Sequence, residues 1–562
     1  MQTNFRNALL TVFSVLIFAS CTKTNKEGKF IPKNAAIAVL VNGASLSTKL
    51  PWDDVKQNEL FKQMYADTSI PAFVKQALDN PDNSGIDTKT DLLFFAQKDT
   101  IGGIVAFTGT IKDAEKFKLF TLDVTKGGVQ SERDGVNYVS KYPVCVGWNK
   151  ERFVYLADAP QMNMQNAMMH DSNSVSPAKS RDIGAACKNI FDLKEDNSLA
   201  KNEKFTELVK KTGDIHFWMN SEELYKGTAS MPAMVMVNIS KLYEGSFTAA
   251  TVNFENGKIL IDAKSYAGKE MTDLYKKYGG KNIDEDMIKR LPSKDVAAVF
   301  AMSFKPEGIK EFLKLLGVEA YANMGLAVAG FSMDDFIKAN KGDILIALTD
   351  LKHKPSTDTS AILNNAKTDN VEPDIIFASS IGDKEAFNLL IKAGEKLGKD
   401  VPAGIPIAYN SDGKLFAIGN SKENIDKYFA NKGTNNFDFL SKINGNPFGG
   451  YINLQFILKA VETNFSKDST AKVIYDASIK MWDNVYMKGG NFEGGGITQT
   501  MEINLMDKST NSLKQLNQYL GLLSKIKMEQ DKKRKMSDMS FDEFDKDKMV
   551  APPASPAVKE GN

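Results

Sequence analysis

Two hydrophobic periodicities share this chain, and they alternate along nearly its whole length. Ser246 to Phe254 and Lys258 to Tyr266 alternate apolar and polar positions on either side of Asn256-Gly257, a strong hairpin signal. Within the second of these strands Ile259, Ile261 and Ala263 fall on one face, the pattern of an antiparallel sheet with one side against helices. Helical spacing follows directly, predicting closing helices over Lys269 to Tyr278 and Ser509 to Leu523. Strands and helices mix without a strict βαβ alternation. The pattern therefore predicts an α+β fold, mostly antiparallel sheets with helices packed on them.

The same order of elements is read twice. Ile31-Pro32-Lys33-Asn34 and the apolar run to Leu40 is answered by Leu291-Pro292-Ser293-Lys294 and the run to Phe300. Ile104 to Phe107, with a helix around Asp113 to Leu119, matches Ile375 to Ala378 with a helix over Asp383 to Ile391. Val144 to Asn149 followed by Phe153 to Leu156 matches Ile405 to Asn410 followed by Leu415 to Ile418. Asn253-Phe254-Glu255 before a glycine turn and Ile259 reappears as Asn491-Phe492-Glu493 before Ile497. Four matches in one order predict an internal duplication, with similar halves over 31–280 and 281–526 joined near Gly279-Gly280. Residues 527–562 begin Lys-Met-Glu-Gln-Asp-Lys-Lys-Arg-Lys and later include Pro-Pro-Ala-Ser-Pro, too polar to offset the entropy of ordering. They are expected to be a disordered charged tail.

The N-terminus carries an address. Arg6 precedes the apolar run Ala8 to Phe18, which is too short to span a bilayer and suits a cleavable signal over residues 1–20. Ala19-Ser20-Cys21 resembles the lipobox of bacterial lipoproteins, in which the cysteine thiol is lipidated, with Phe18 standing where leucine is more usual. Residues 21–30 then read as a polar tether. Thr22 after the cysteine and Lys23, Lys26 and Lys29 against Glu27 favour an outer-membrane anchor facing the periplasm.

Composition narrows the rest. The 562 residues include 71 Lys and Arg against 70 Asp and Glu, a balance that leaves no electrostatic footprint for nucleic acid. His170, His216 and His353 are scattered, and no phosphate-binding glycine loop, nucleophile elbow or H-E-x-x-H is present. Glu222-Glu223 and Asp334-Asp335 are adjacent carboxylates of the kind chance supplies in so acidic a chain. Asn80 to Asp91 spaces oxygens as a calcium loop does, yet reads more simply as a turn. Met162, Met164 and Met168 before His170, with Met231, Met234 and Met236, form weak Cu(I) candidates. Against this, Met164, Ala167 and Met168 align with Ile425, Tyr428 and Phe429, helical spacing suited to a buried face. Cys145 and Cys187 are left once Cys21 is set aside. An oxidising compartment permits a disulfide between them, while the apolar setting of Cys145 suits a buried thiol.

The lipobox, the Ile31-to-Val39 strand opening and Ser84-Gly85-Ile86-Asp87 resemble a Bacteroidota lipoprotein family known as domain of unknown function 4836, over about Phe30 to Leu523. That resemblance implies no reaction, cofactor or site residue. Together these readings predict a lipid-anchored envelope protein that binds or scaffolds without catalysis, with no cofactor. Its expected partners are the membrane, through the N-terminal lipid, and an envelope protein. An anchored hydrolase of an envelope polymer, and a periplasmic ligand or Cu(I) binder, are the alternatives.

Overall fold

The computed structural model describes residues 27–66, 72–99, 101–159, 181–226, 237–354, 370–398, 407–465 and 469–547. The signal, Cys21, the methionine clusters and His170 lie outside them. The α+β expectation holds. The first strands in chain order are β1 (Ile37–Asn42), β2 (Asp91–Asp99), β3 (Gly102–Thr110), β4 (Val129–Arg133), β5 (Val136–Lys141) and β6 (Val144–Trp148). Then come β7 (Arg152–Asp158), β8 (Ile215–Asn220), β9 (Phe247–Glu255) and β10 (Lys258–Tyr266). After them run β11 (Val296–Ser303), β12 (Asn340–Lys354), β13 (Asn370–Ile381) and β14 (Ala408–Ser411). The last are β15 (Leu415–Gly419), β16 (Phe448–Asn453), β17 (Trp482–Glu493) and β18 (Gly496–Leu505).

All these strands join one antiparallel sheet of 18. From one edge its order is β4-β5-β6-β7-β3-β2-β1-β8-β9-β10. From the other edge it is β14-β15-β13-β12-β11-β16-β17-β18. Leaving out the β4–β5 hairpin, the two orders coincide. The blocks meet where β10 pairs with β18 from Lys258/Asn504 to Ser265/Ile497. In the alignment that sets Ile259 on Ile497, Asp262 falls on Thr500, and those two residues face each other across this junction. The Thr500 hydroxyl donates to the Asp262 carboxylate there at 2.9 Å.

Each half buries its core where alternate strand residues meet helices. In the first half Leu40, Phe95, Leu156 and Trp218 pack with Ile183, Cys187 and Ile190 of helix Ile183–Phe191 and with Phe205 of helix Glu203–Val209. In the second, Val299, Leu345 and Ile376 pack with Ile288 of helix Glu285–Lys289 and with Ile425 and Tyr428 of helix Lys422–Ala430. Both layers lie on one sheet face. On the opposite face smaller clusters form around Phe117 of helix Ala114–Val124 and Phe387 of helix Lys384–Gly398. Ile425 and Tyr428 thus occupy the buried face their spacing predicted.

The C-terminal helix continues well past the Leu523 end that its spacing predicts. Helix Ser512–Asp547 runs through residues that the charge pattern assigned to a disordered tail, up to Asp547. The segment is rich in Lys, Met, Glu and Asp and has no Pro or Gly before Pro552, so its residues favour helix even without an apolar face. Its start is anchored: the Asn58 amide donates to the Asn517 carbonyl at 2.6 Å, and Lys514 pairs with Asp54 at 2.9 Å. Cys145 and Cys187 are neighbours, and both are free, buried thiols in this structure. The hydrogen bond that the Cys187 thiol donates to Cys145, together with burial, pushes the Cys187 thiol far above its ordinary value.

Candidate functional site

The residues singled out in the sequence do not converge. Glu222 accepts from the Gly245 amide at 2.9 Å, and Glu223 pairs loosely with Lys226. Asp334 pairs with Lys310, while Asp335 closes a capping box with Ser332 at the start of helix Met333–Ala339. His216 contacts the Lys211 carbonyl at 2.8 Å. The Asn80-to-Asp91 stretch forms a single 3-10 turn, Pro81–Ser84, that ends on Gly85 at φ 74°, and its Asp82 pairs with Lys112 at 2.6 Å. Each of these groups is used by a cap, a turn or a lysine.

Clefts open instead where the two halves meet. One lies on the sheet face that carries the two main cores, in the gap between their helices, and holds about 350 Å³. Lys258, Asp262, Lys488 and Glu502 rise from the strands, and Lys442 reaches in from helix Leu440–Ile443. Its charges largely answer one another. Lys258 stands 3.4 Å from both Glu255 and Glu502. Burial opposes ionisation of Glu502, but the Asn504 amide and Lys258 outweigh it and hold the carboxyl below its ordinary value. A second cleft, between the Leu50–Glu59 segment and the C-terminal helix, is bridged by the Asn58–Asn517 and Lys514–Asp54 contacts described above.

The third cleft is different in kind. It lies on the other sheet face at the same junction and holds about 360 Å³. One wall is helix Lys269–Tyr278, whose Met271, Leu274, Tyr275 and Tyr278 follow i, i+3, i+4, i+7 spacing and so share a face. The facing wall is helix Glu307–Leu315, with Ile309 and Phe312. Met302 and Phe304 at the end of β11, Phe448 of β16 and Ile497 of β18 supply the floor. Glycines set its shape. A Cβ on Gly280 would stand 1.7 Å from the Ser303 carbonyl oxygen, and one on Gly308 2.7 Å from Tyr278 Cβ, so only glycine lets these backbones close the groove. Met302 remains 44% exposed, as an apolar side chain on an open wall would be. Among the described residues lining this groove there is no carboxylate, imidazole or thiol. An arrangement of this kind can desolvate an apolar ligand.

Sequence reasoning found the closing helix and the Gly279-Gly280 joint but not the groove. Its lining comes from five separate stretches between Met271 and Ile497, a juxtaposition with no local signature. Only the i, i+3, i+4 face of Met271, Leu274 and Tyr275 could have hinted at a partner surface.

A family model described as "Domain of unknown function (DUF4836)" matches residues 28–396, which takes in β1 to β13 and both helical walls of the groove. None of the curated proteins compared matches the chain. Two solved structures, of crystal forms IV and I of TP0453, are similar at 8% identity and a TM-score of 0.25. Each match covers 43% of this chain, and 80% and 79% of the respective TP0453 chains. Among the described residues no helix is long and apolar enough to cross a membrane.

Proposed function

The chain belongs to the DUF4836 family, whose description names no activity, and from the geometry of its seam we propose that it is a lipid-anchored envelope protein that binds an apolar ligand without catalysis. The observation that carries this reading is the groove between helices Lys269–Tyr278 and Glu307–Leu315, whose described lining is mostly apolar and holds no carboxylate, imidazole or thiol. A binding role fits such a site better than a hydrolase does, because hydrolysis needs a positioned proton donor and acceptor at the reacting bond. The two matching blocks of strands support reading 31–280 and 281–526 as copies of one ancestral unit. In that reading the groove is a product of their fusion, since both copies contribute to it.

Anchoring rests on the sequence of residues 1–30. Cleavage before Cys21 and acylation of its thiol would hold the protein at the outer membrane, facing the periplasm. Each buried methylene adds about 0.8 kcal/mol, so several acyl chains together suffice for a stable anchor. Labelling cells with an alkyne fatty acid and fractionating them tests this directly. The wild-type protein is expected to carry the label in the membrane fraction, and Cys21→Ala to lose both label and membrane association. An unlabelled wild-type protein, or a Cys21→Ala variant that keeps its label, would overturn the anchor.

A further inference from the structure

The rim of the groove is basic. Lys305 lines it, and its ammonium donates to the Lys277 carbonyl at 2.9 Å, which places it at the C-terminal end of the first wall. The Lys277 ammonium lies over the Tyr278 ring at 5.0 Å. Lys276 lies over the Phe492 ring at 5.5 Å, and Phe492 faces Ile497 of the groove floor. Three nearby carboxylates have closer lysine partners: Glu311 pairs with Lys314 at 2.9 Å while also acting on Lys277 from further away, Asp334 pairs with Lys310, and Glu270 with Lys241 at 3.1 Å. No ion pair within 4.0 Å links Lys276, Lys277 or Lys305 to a carboxylate among the described residues. An apolar slot with Lys305 in its lining, and with the Lys276 and Lys277 ammonium groups over the neighbouring Phe492 and Tyr278 rings, is complementary to a molecule that is apolar along its length and anionic at one end.

Resting on the binding reading above, we infer that the ligand is a free long-chain alkyl carboxylate, with its chain between Met271, Met302 and Phe312 and its carboxylate at Lys305 and Lys277. A neutral or cationic amphiphile would bury the same chain but leave the ammonium groups unanswered or opposed.

Displacement of a fluorescent C16 carboxylate probe from the purified acylated protein, and from its Cys21→Ala counterpart, tests this. Competitors are alkyl carboxylates of increasing length, with the alcohol and the trimethylammonium of matching length. Affinity is expected to rise roughly fourfold for each added methylene until the groove is full. The carboxylate is expected to bind about tenfold tighter than the alcohol. Lys277→Gln with Lys305→Gln should erase the carboxylate preference and keep the length dependence, whereas Met302→Glu, at an exposed position, should abolish binding by all three. If alcohol and trimethylammonium bind as tightly as the carboxylate while Met302→Glu still blocks them, the anionic ligand is wrong and the groove remains a binding site. If no amphiphile binds, or Met302→Glu changes nothing, the groove reading itself fails. If only the Cys21→Ala protein binds the probe, the protein's own anchor fills the groove and the free ligand is excluded.

Discussion

Replacing Lys49 with Met is expected to destabilise the protein by about 3 kcal/mol, read as a lower midpoint in urea unfolding at neutral pH. Lys49, at the end of helix Gly43–Lys49, lies 2.6 Å from Asp214, whose side chain is only 2% exposed. The same carboxylate accepts from the Phe254 amide at 2.6 Å and from the Ser45 hydroxyl. It therefore ties the helix after β1 to the start of β8 and the end of β9. Removing the ammonium leaves an ionised group in a setting that water reaches poorly, and the cost of that orphaned charge dominates the effect. Lys49→Met with Asp214→Leu should recover part of the loss, because an apolar pair no longer strands a charge. A midpoint unchanged by Lys49→Met would show that the carboxylate is solvated.

Trp218→Ala should cost about 4 kcal/mol, the larger of the two effects, because the cavity would open between both faces of an aromatic stack. Trp218 is 1% exposed, lies on Phe247 at 4.6 Å between ring centroids, and meets Phe205 edge-on at 5.7 Å. Its indole N–H has no partner among the described residues. Trp218→Phe keeps the stack and removes that unsatisfied donor, so it should cost roughly 2 kcal/mol less than Trp218→Ala. Equal losses for the two variants would mean that the ring stack contributes nothing beyond the indole.

The local architecture is written in short stretches of sequence. The Asn256-Gly257 turn forms as its signal requires, with Gly257 at φ 67° and Phe247–Glu255 paired to Lys258–Tyr266. The closing helix runs from Lys269 to Tyr278 as its spacing predicts. These elements are legible because turn chemistry and periodicity act over a few residues. The pairing of β10 with β18 is not legible, since an alternating strand reads the same whether its edge meets solvent or another strand some 240 residues away. The β4–β5 hairpin turns on Asp134-Gly135, both at positive φ, and has no counterpart among the described residues of the second half, so a comparison of repeats passes over it. The C-terminal helix is legible up to Leu523 but not in its continuation to Asp547, because a charged segment without an apolar face looks unable to order. Helix propensity continues it from an anchored first turn.

The groove and its basic rim both depend on the two blocks forming one sheet. Amide hydrogen exchange on the full chain, followed by mass spectrometry, tests that most directly. Peptides covering Lys258–Tyr266 and Gly496–Leu505 should exchange as slowly as those of central β1, and more slowly than the edge strands β4 and β14. Exchange at β10 and β18 as fast as at those edges, with the two cores still protected, would mean that the halves are separate bodies and that no groove exists between them.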